Sequence, residues 1–179
     1  NKTTVGSVTA SDDDNDEVTF SISGSELAIT PPGILTFISA PDYETKSNYS
    51  AVVTASDGTN LVEQNISVSI NNLNDNLPSF SSSATFTVNE NQSSIGNVNA
   101  TDADGDILSY TINSSAININ SSSGELLFLS AADYETQSSY TASVTVTDGI
   151  NTAVQDIIVN VTNINDIAPI FGSLEYSVV

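Results

Sequence analysis

The 179-residue chain has no cysteine, histidine, methionine or tryptophan, and its basic residues are two lysines, Lys2 and Lys46. Each absence closes a class of function. Without cysteine there are neither disulfides nor thiolate metal sites, which leaves the redox compartment open. Without histidine or cysteine, His-based triads and thiol nucleophiles are excluded. A carboxylate pair of glycosidase type is conceivable, but the acids are better explained as metal ligands, and no cleft is indicated. The chain is not expected to be an enzyme, and no catalytic residue is assigned. Two cations against 22 acids give a net charge of −20, which argues against nucleic acid and anionic membrane surfaces as partners, because both need clusters of Lys and Arg. No apolar run is long enough to cross a bilayer, so direct membrane insertion is not expected. With no initiator methionine or signal peptide, the chain reads as an internal fragment whose targeting signals lie elsewhere.

What is present argues against acidic disorder. Hydrophobic residues make up 39% of the chain and alternate regularly enough to build cores. The sequence also matches itself at a shift of about ninety residues, the period of a tandem repeat. NKTTVGSVTASDDDND pairs with NQSSIGNVNATDADGD, PDYETKSNYSAVVTASDG with ADYETQSSYTASVTVTDG, and QNISVSINNLNDNLPSF with QDIIVNVTNINDIAPIF. This divides the chain into residues 1–77, residues 78–170, and the start of a third copy at 171–179, where Tyr176–Val179 echoes Phe86–Val88. The first copy lacks its opening strand, and the parent reads as a long array.

Within each copy the pattern is all-β. Val18, Phe20 and Ile22 alternate with polar residues, as do Tyr140, Ala142, Val144 and Val146, and Ile157, Val159 and Val161. Period two over short runs means half-buried strands with one face on a core. Asp57-Gly58 and Asp148-Gly149 mark the turns between the last two strands. Several short strands in about ninety residues predict an immunoglobulin-like sandwich. Tyr49, Tyr110 and Tyr140 lie in register with aliphatic strand positions, so they are read as core rather than as a platform for sugars.

The chemistry concentrates in Asn71–Asp106, which carries Asn74, Asp75 and Asn76 before Pro78, then Asp102 and Asp104, with no cation among them. Hard oxygen ligands at this density suit Ca2+, which takes 6–8 oxygens and accepts carbonyls and amides beside carboxylates. Pro78 stiffens the chain and biases Leu77 toward an extended conformation. The stretch reads as a calcium-filled joint between two domains. Asp12 to Asp16 superficially resembles the start of an EF-hand, but the sixth-position Gly and twelfth-position Glu are missing, so that reading is rejected.

Taken in order, these motifs resemble cadherin repeats over essentially the whole chain. They are Glu90-Asn91; Asp12/Asp14 and Asp102/Asp104; Asp42/Glu44 and Asp133/Glu135; Asp57 and Asp148; and the linkers Asn72–Pro78 and Asn163–Pro169. The resemblance implies two tandem seven-stranded Greek-key β-sandwiches of cadherin type, with three Ca2+ ions at each junction. It places two ions on Asp42, Glu44, Asp75 and the carbonyl of Leu73, with Asp104 shared by the middle ion. The third falls on Asp102, Asp104, Asp148, the Asn76 side chain and the Asn74 carbonyl, with a further carbonyl from Gly105–Asp106. Six carboxylates then balance three divalent ions. The end sites implied are Glu90, Asp133, Glu135 and Asp166 toward a following repeat, and Asp12, Asp14 and Asp57 toward a preceding one.

The departures are specific. The Glu that would partner Asp42 and Glu44 falls one residue before Asn1, Asn72 replaces the first linker Asp, and Ile167 stands where copy one has Asn76. Tyr43 and Tyr134 replace an arginine, and with no tryptophan the strand exchange of vertebrate classical cadherins has no anchor. The Lys/Arg-poor, Asn/Ser/Thr-rich surface looks most like the cadherin-like domains of large bacterial adhesins. The expected function is a Ca2+-rigidified segment of a secreted or cell-surface adhesin, monomeric in isolation and partnered by adjacent repeats. The alternative is a module that recognises carbohydrate or another cell-surface protein, including a like repeat.

Overall fold

The computed structural model describes residues 3–172 and Ser177. Of the expected start of a third copy at 171–179, only Phe171, Gly172 and Ser177 are among the described residues. The chain is all-β and divides into two compact units, Asn1–Asn74 and Asp75–Val179.

Unit 1 contains β1 (Thr4–Ser7), β2 (Thr19–Ile22), β3 (Leu27–Ile29), β4 (Ile34–Phe37), β5 (Asn48–Ser56) and β6 (Leu61–Ser69). They form two antiparallel three-stranded sheets, β1-β4-β3 and β2-β5-β6. Unit 2 contains β7 (Ser79–Phe80), β8 (Thr85–Asn89), β9 (Ser94–Asn97), β10 (Ala100–Thr101), β11 (Ser109–Asn113), β12 (Ile117–Ile119), β13 (Glu125–Phe128), β14 (Ser139–Thr147) and β15 (Thr152–Thr162). Its sheets are β11-β14-β15-β8 and β12-β13-β9, with a two-stranded patch of β7 and β10. The pairing β8–β15 is parallel, and the rest are antiparallel. The four- and three-stranded sheets make the seven expected strands of the second repeat. Strands β1 to β6 match β9 and β11 to β15, and no counterpart of β8 lies among the described residues of unit 1.

Alternation does what the sequence predicts. Along β14 and β15, Val144, Val146, Ile157 and Val159 are at most 1% exposed, while Thr141, Val154 and Ile158 face out. Burying each such side chain contributes about 1.5–3 kcal/mol. Tyr110 is part of this core, and Tyr140 packs against it 4.9 Å from the Phe128 ring. The same pair recurs in unit 1 as Tyr49 and Phe37, at 4.8 Å. One turn is tied to its residue type in both copies. Gly33 and Gly124 have φ of +89° and +70°, and a Cβ on either would meet a backbone carbonyl oxygen at 2.1 Å. Only glycine closes this turn.

The cores differ in completeness. In unit 2 Ile157, Val159 and Val161 are all buried, whereas their counterparts Ile66, Val68 and Ile70 are only half-buried against Leu27, Leu35 and Phe37.

Candidate metal centres

The β14/β15 hairpin of unit 2 carries a group of carboxylates at each end, with nine paired residues, about 30 Å of strand, between them. One group lies where the chain enters the unit. Ligand oxygens of Asp102, Asp104 and Asp106 lie within 4.8 Å of one another. Asp102 Oδ1 accepts the N–H groups of Asp104 at 3.0 Å and Asp106 at 3.3 Å, which coils the loop around the carboxylate. Gly105 closes that coil at φ +79°, and Asn15 takes the equivalent left-handed position in unit 1 at φ 68°. Asp104 is 9% exposed and holds the entering chain: its Oδ2 accepts from Asp75 N at 3.1 Å and Asn76 N at 2.8 Å, and its Oδ1 from Asn76 Nδ2 at 2.8 Å. Asp148 accepts from Ile150 N at 2.7 Å and from Asn151 N at 2.6 Å. Asn151 Nδ2 reaches both Asp148 Oδ2 and the Asn76 carbonyl, at 3.1 Å each. Asp102 Oδ2, by contrast, is buried with no hydrogen-bond partner.

The other group lies where the chain leaves. Oxygens of Glu90, Asp133 and Glu135 also lie within 4.8 Å of one another. Glu90 is 3% exposed, and its carboxylate accepts from Tyr134 N at 2.9 Å and Ile164 N at 2.6 Å, residues 44 and 74 positions away. Asp133 accepts from Glu135 N and Thr136, Asn163 Nδ2 donates to Glu135 Oε1 at 2.8 Å, and Asn91 Nδ2 donates to Asp166 at 2.5 Å. Glu90 therefore braces the pole as well as lining it. Glu90→Ala strands two backbone N–H groups and should destabilise the metal-free unit by about 2–4 kcal/mol. Glu90→Gln, which keeps an acceptor, should lose about half of that. Urea unfolding followed by circular dichroism checks both.

Unit 1 repeats these local motifs. Asp12 Oδ1 accepts from Asp14 N at 2.9 Å and Asp16 N at 3.2 Å, as Asp102 does from its own loop. Asp57 accepts from Thr59 N and Asn60 N as Asp148 does from its turn. Asp12 and Asp57 line one cavity of about 140 Å³, and Asp14 is exposed. At the opposite end, just before β5, Asp42 accepts from Glu44 N at 3.1 Å and Thr45 Oγ1 at 2.8 Å. Glu44 and Leu73 are exposed and Asn74 half-buried. Sequence reasoning missed the Asp106 carboxylate, Asn151 and Asn163. The first was countable from the Asp-x-Asp-x-Asp spacing, but the two amides act through contacts that no local pattern signals.

Hydrogen bonds and crowding push these acids in opposite directions. Thr45, Asn60 and Thr136 respectively lower Asp42, Asp57 and Asp133 below the usual carboxylate range. Stability from these three is present above the unfolded value and lost as pH falls through their folded values. Asp106 and Glu135 are raised instead, first by desolvation and then by neighbours: Asp102, Asp104 and Asp148 for the former, Glu90, Asp166 and Asp133 for the latter. A raised carboxyl binds its proton better folded than unfolded, so stability falls as pH rises through the carboxylate range. Asp106→Asn should therefore make the metal-free protein more stable at pH 7 and flatten that fall. Urea titrations at acidic and neutral pH read it, and an unchanged slope would mean the neighbouring charges do not act on Asp106.

No protein-family model matches the chain. Human Cadherin-23 is similar, at 30% identity over 186 residues, which is 94% of this chain and 6% of that protein. Cadherin-99C of Drosophila melanogaster is 35% identical over 161 residues, 82% of this chain and 9% of that one. The fold also matches the crystal structure of mouse Cadherin-23 EC22-24, with a TM-score of 0.79, 24% identity, and coverage of 92% of this chain and 61% of that one. The two repeats are cadherin-like. The chain thus spans only 6–9% of the curated relatives' length. Cadherin-like repeats are extracellular or cell-surface modules, the relatives are cadherins rather than enzymes, and calcium binding is typical of cadherins. No helix among the described residues is long and apolar enough to cross a membrane.

Proposed function

We propose that this cadherin-like chain is a calcium-binding structural segment of a cell-surface or secreted adhesin, in which Ca2+ at the junction between repeats stiffens the array. The observation that carries this reading is the pair of carboxylate groups at opposite ends of the unit 2 hairpin, one at the entrance of the chain and one at its exit. A repeat built this way offers ligands to the neighbour on each side. Asp102 Oδ2 supports the fit: a buried carboxylate oxygen without a donor is costly, and a cation relieves that cost.

The entrance group supplies Asp102, Asp104, Asp148, the Asn76 side chain, the Asn74 carbonyl and the Gly105 loop. Asp75, the Leu73 carbonyl, Asp42 and Glu44 complete the junction set, and the Asp106 carboxylate is an added candidate. The exit group supplies Glu90, Asp133, Glu135 and Asp166 to a following repeat, and Asp12, Asp14 and Asp57 face a preceding one. Bound calcium supplies no chemistry beyond neutralising and cross-linking these oxygens. Because ligands come from two repeats and the linker, bending costs coordination. The functional repeats are 1–77 and 78–170, with 171–179 opening the next. The named relatives are animal cadherins, so only the composition supports a bacterial type of adhesin. Adjacent repeats are the partners proposed, with the isolated chain monomeric. No described feature favours carbohydrate or homophilic recognition.

Calorimetric titration tests the premise. The metal-free chain should bind several Ca2+ ions at about 10⁻⁴–10⁻³ M, the range of extracellular modules. Mg2+, which demands near-octahedral geometry and keeps its waters, should bind far more weakly. Absence of Ca2+ binding across that range would overturn the proposal.

A further inference from the structure

The loop after β10 sets Asp102, Asp104 and Asp106 at its first, third and fifth positions. That is the spacing by which calcium loops bring three side-chain oxygens onto one ion. Two oxygens held by the same Ca2+ at about 2.3–2.6 Å lie no more than about 4.6–5.2 Å apart. The ligand oxygens of these three acids meet that limit, within 4.8 Å of one another and all inside unit 2. A second observation points to a ligand at the same place. Asp102 uses Oδ1 to accept the N–H groups of Asp104 and Asp106, while its Oδ2 is buried without a hydrogen-bond partner. An oxygen in that state is costly unless a cation meets it.

Asp106 is the acid of this group that has no part in holding the fold. Asp102 coils its own loop and Asp104 anchors Asp75 and Asn76, but the Asp106 carboxylate accepts no hydrogen bond among the described residues. What acts on it is desolvation and the charges of Asp102, Asp104 and Asp148. The resemblance to cadherin repeats places only a main-chain carbonyl of Gly105–Asp106 on the ion, and a carbonyl requires no acid at position 106.

We propose that Asp106 binds the entrance Ca2+ directly through its side chain, so that one short loop supplies three carboxylates to a single ion. With Asp148 beside them, the negative charge around that ion exceeds its own, and ligand charge is one of the two properties by which oxygen sites tune their affinity. This assignment rests on the calcium reading above and gives one of its sites a ligand which that reading does not need.

The test uses the full chain, stripped of metal, labelled with ¹³C and ¹⁵N, and titrated with Ca2+ in physiological salt. The side-chain carboxyl carbons of Asp102, Asp104 and Asp106 should shift by comparable amounts along one binding curve. In calorimetry, Asp106→Ala should weaken one ion by about 10–100-fold, at least what losing an outer-shell partner costs. Most of that loss should persist in about 1 M NaCl, where the Debye length is about 3 Å and a charge outside the coordination shell is screened. A still Asp106 carboxyl carbon, with main-chain carbonyl carbons of Gly105 or Asp106 moving beside the Asp102 and Asp104 carboxyls, would overturn the assignment and leave the calcium reading standing. So would an Asp106→Ala variant that binds as wild type does, or whose loss vanishes in high salt. No response to Ca2+ at any carboxyl would overturn both. The carboxyl shifts are read on the wild-type chain, so they decide the matter even if the variant fails to fold.

Discussion

Chelating calcium should lower the melting temperature of the chain by on the order of 10 °C. At about 5 mM Ca2+ and a Kd of about 0.1–1 mM, one site binding only the folded form contributes about 1–2.3 kcal/mol. For a domain of 60–100 residues, each kcal/mol moves the midpoint by about 4–8 °C. The competing effect is plain screening, since a chain with net charge −20 is stabilised by any salt that shortens the reach of its self-repulsion. The two separate cleanly at matched ionic strength. Screening treats NaCl, MgCl2 and CaCl2 alike, whereas coordination by mixed carboxylate, amide and carbonyl oxygens favours calcium. Differential scanning calorimetry in the three salts reads the difference. A shift that NaCl reproduces in full would leave the carboxylate groups as solvated turns. Unit 1, whose Ile66, Val68 and Ile70 are only half-buried, should melt first.

Asp104→Ala should leave unit 2 folded but make the chain flexible even in millimolar calcium. Two terms oppose each other in the metal-free state. The substitution removes the acceptor of Asp75 N, Asn76 N and Asn76 Nδ2, and hydrogen bonds to a charged group are worth about 1.5–3 kcal/mol each when fully buried. It also removes one of the charges that crowd Asp106, and a like-charge contact at about 4 Å costs up to about 4 kcal/mol at an effective dielectric of 20. The two oppose each other, so metal-free stability should change by less than the loss of the three hydrogen bonds alone. In calcium there should be no such compensation, because bound ions would neutralise the repulsion and the proposed assignment gives Asp104 to two of them. Asp104→Asn keeps an acceptor oxygen for the entering chain but loses the charge, so it should retain the linker contact and still lose calcium affinity. Small-angle scattering decides. Wild type should broaden its distance distribution when calcium is chelated, while Asp104→Ala should already be broad at millimolar Ca2+. A variant as extended and stiff as wild type would show that Asp104 does not bridge the joint.

By itself the sequence determined the repeat, the all-β class, the inward face of each long strand and the acidic turn at each loop. These are local properties. Period-two alternation decides which of Thr145 and Val146 faces the core, and Asp-x-Asp and Asp-Gly spacings build their turns from bonds within four residues. The tertiary structure alone decided which oxygens meet and which distant N–H groups they accept from. Nothing near Glu90 in sequence shows that its carboxylate is buried against N–H groups 44 and 74 residues away. Asp104 reads as a loop acid, yet it anchors Asp75 and Asn76, which precede it by 29 and 28 residues. The parallel seat of β8 on β15 was equally invisible: the repeat alignment shows that the first copy lacks its opening strand, but not which strand that segment pairs with in the second. Identical alternation in two strands cannot report whether a third strand lies beside them, because main-chain pairing carries no side-chain signature and its register is set only when distant segments meet.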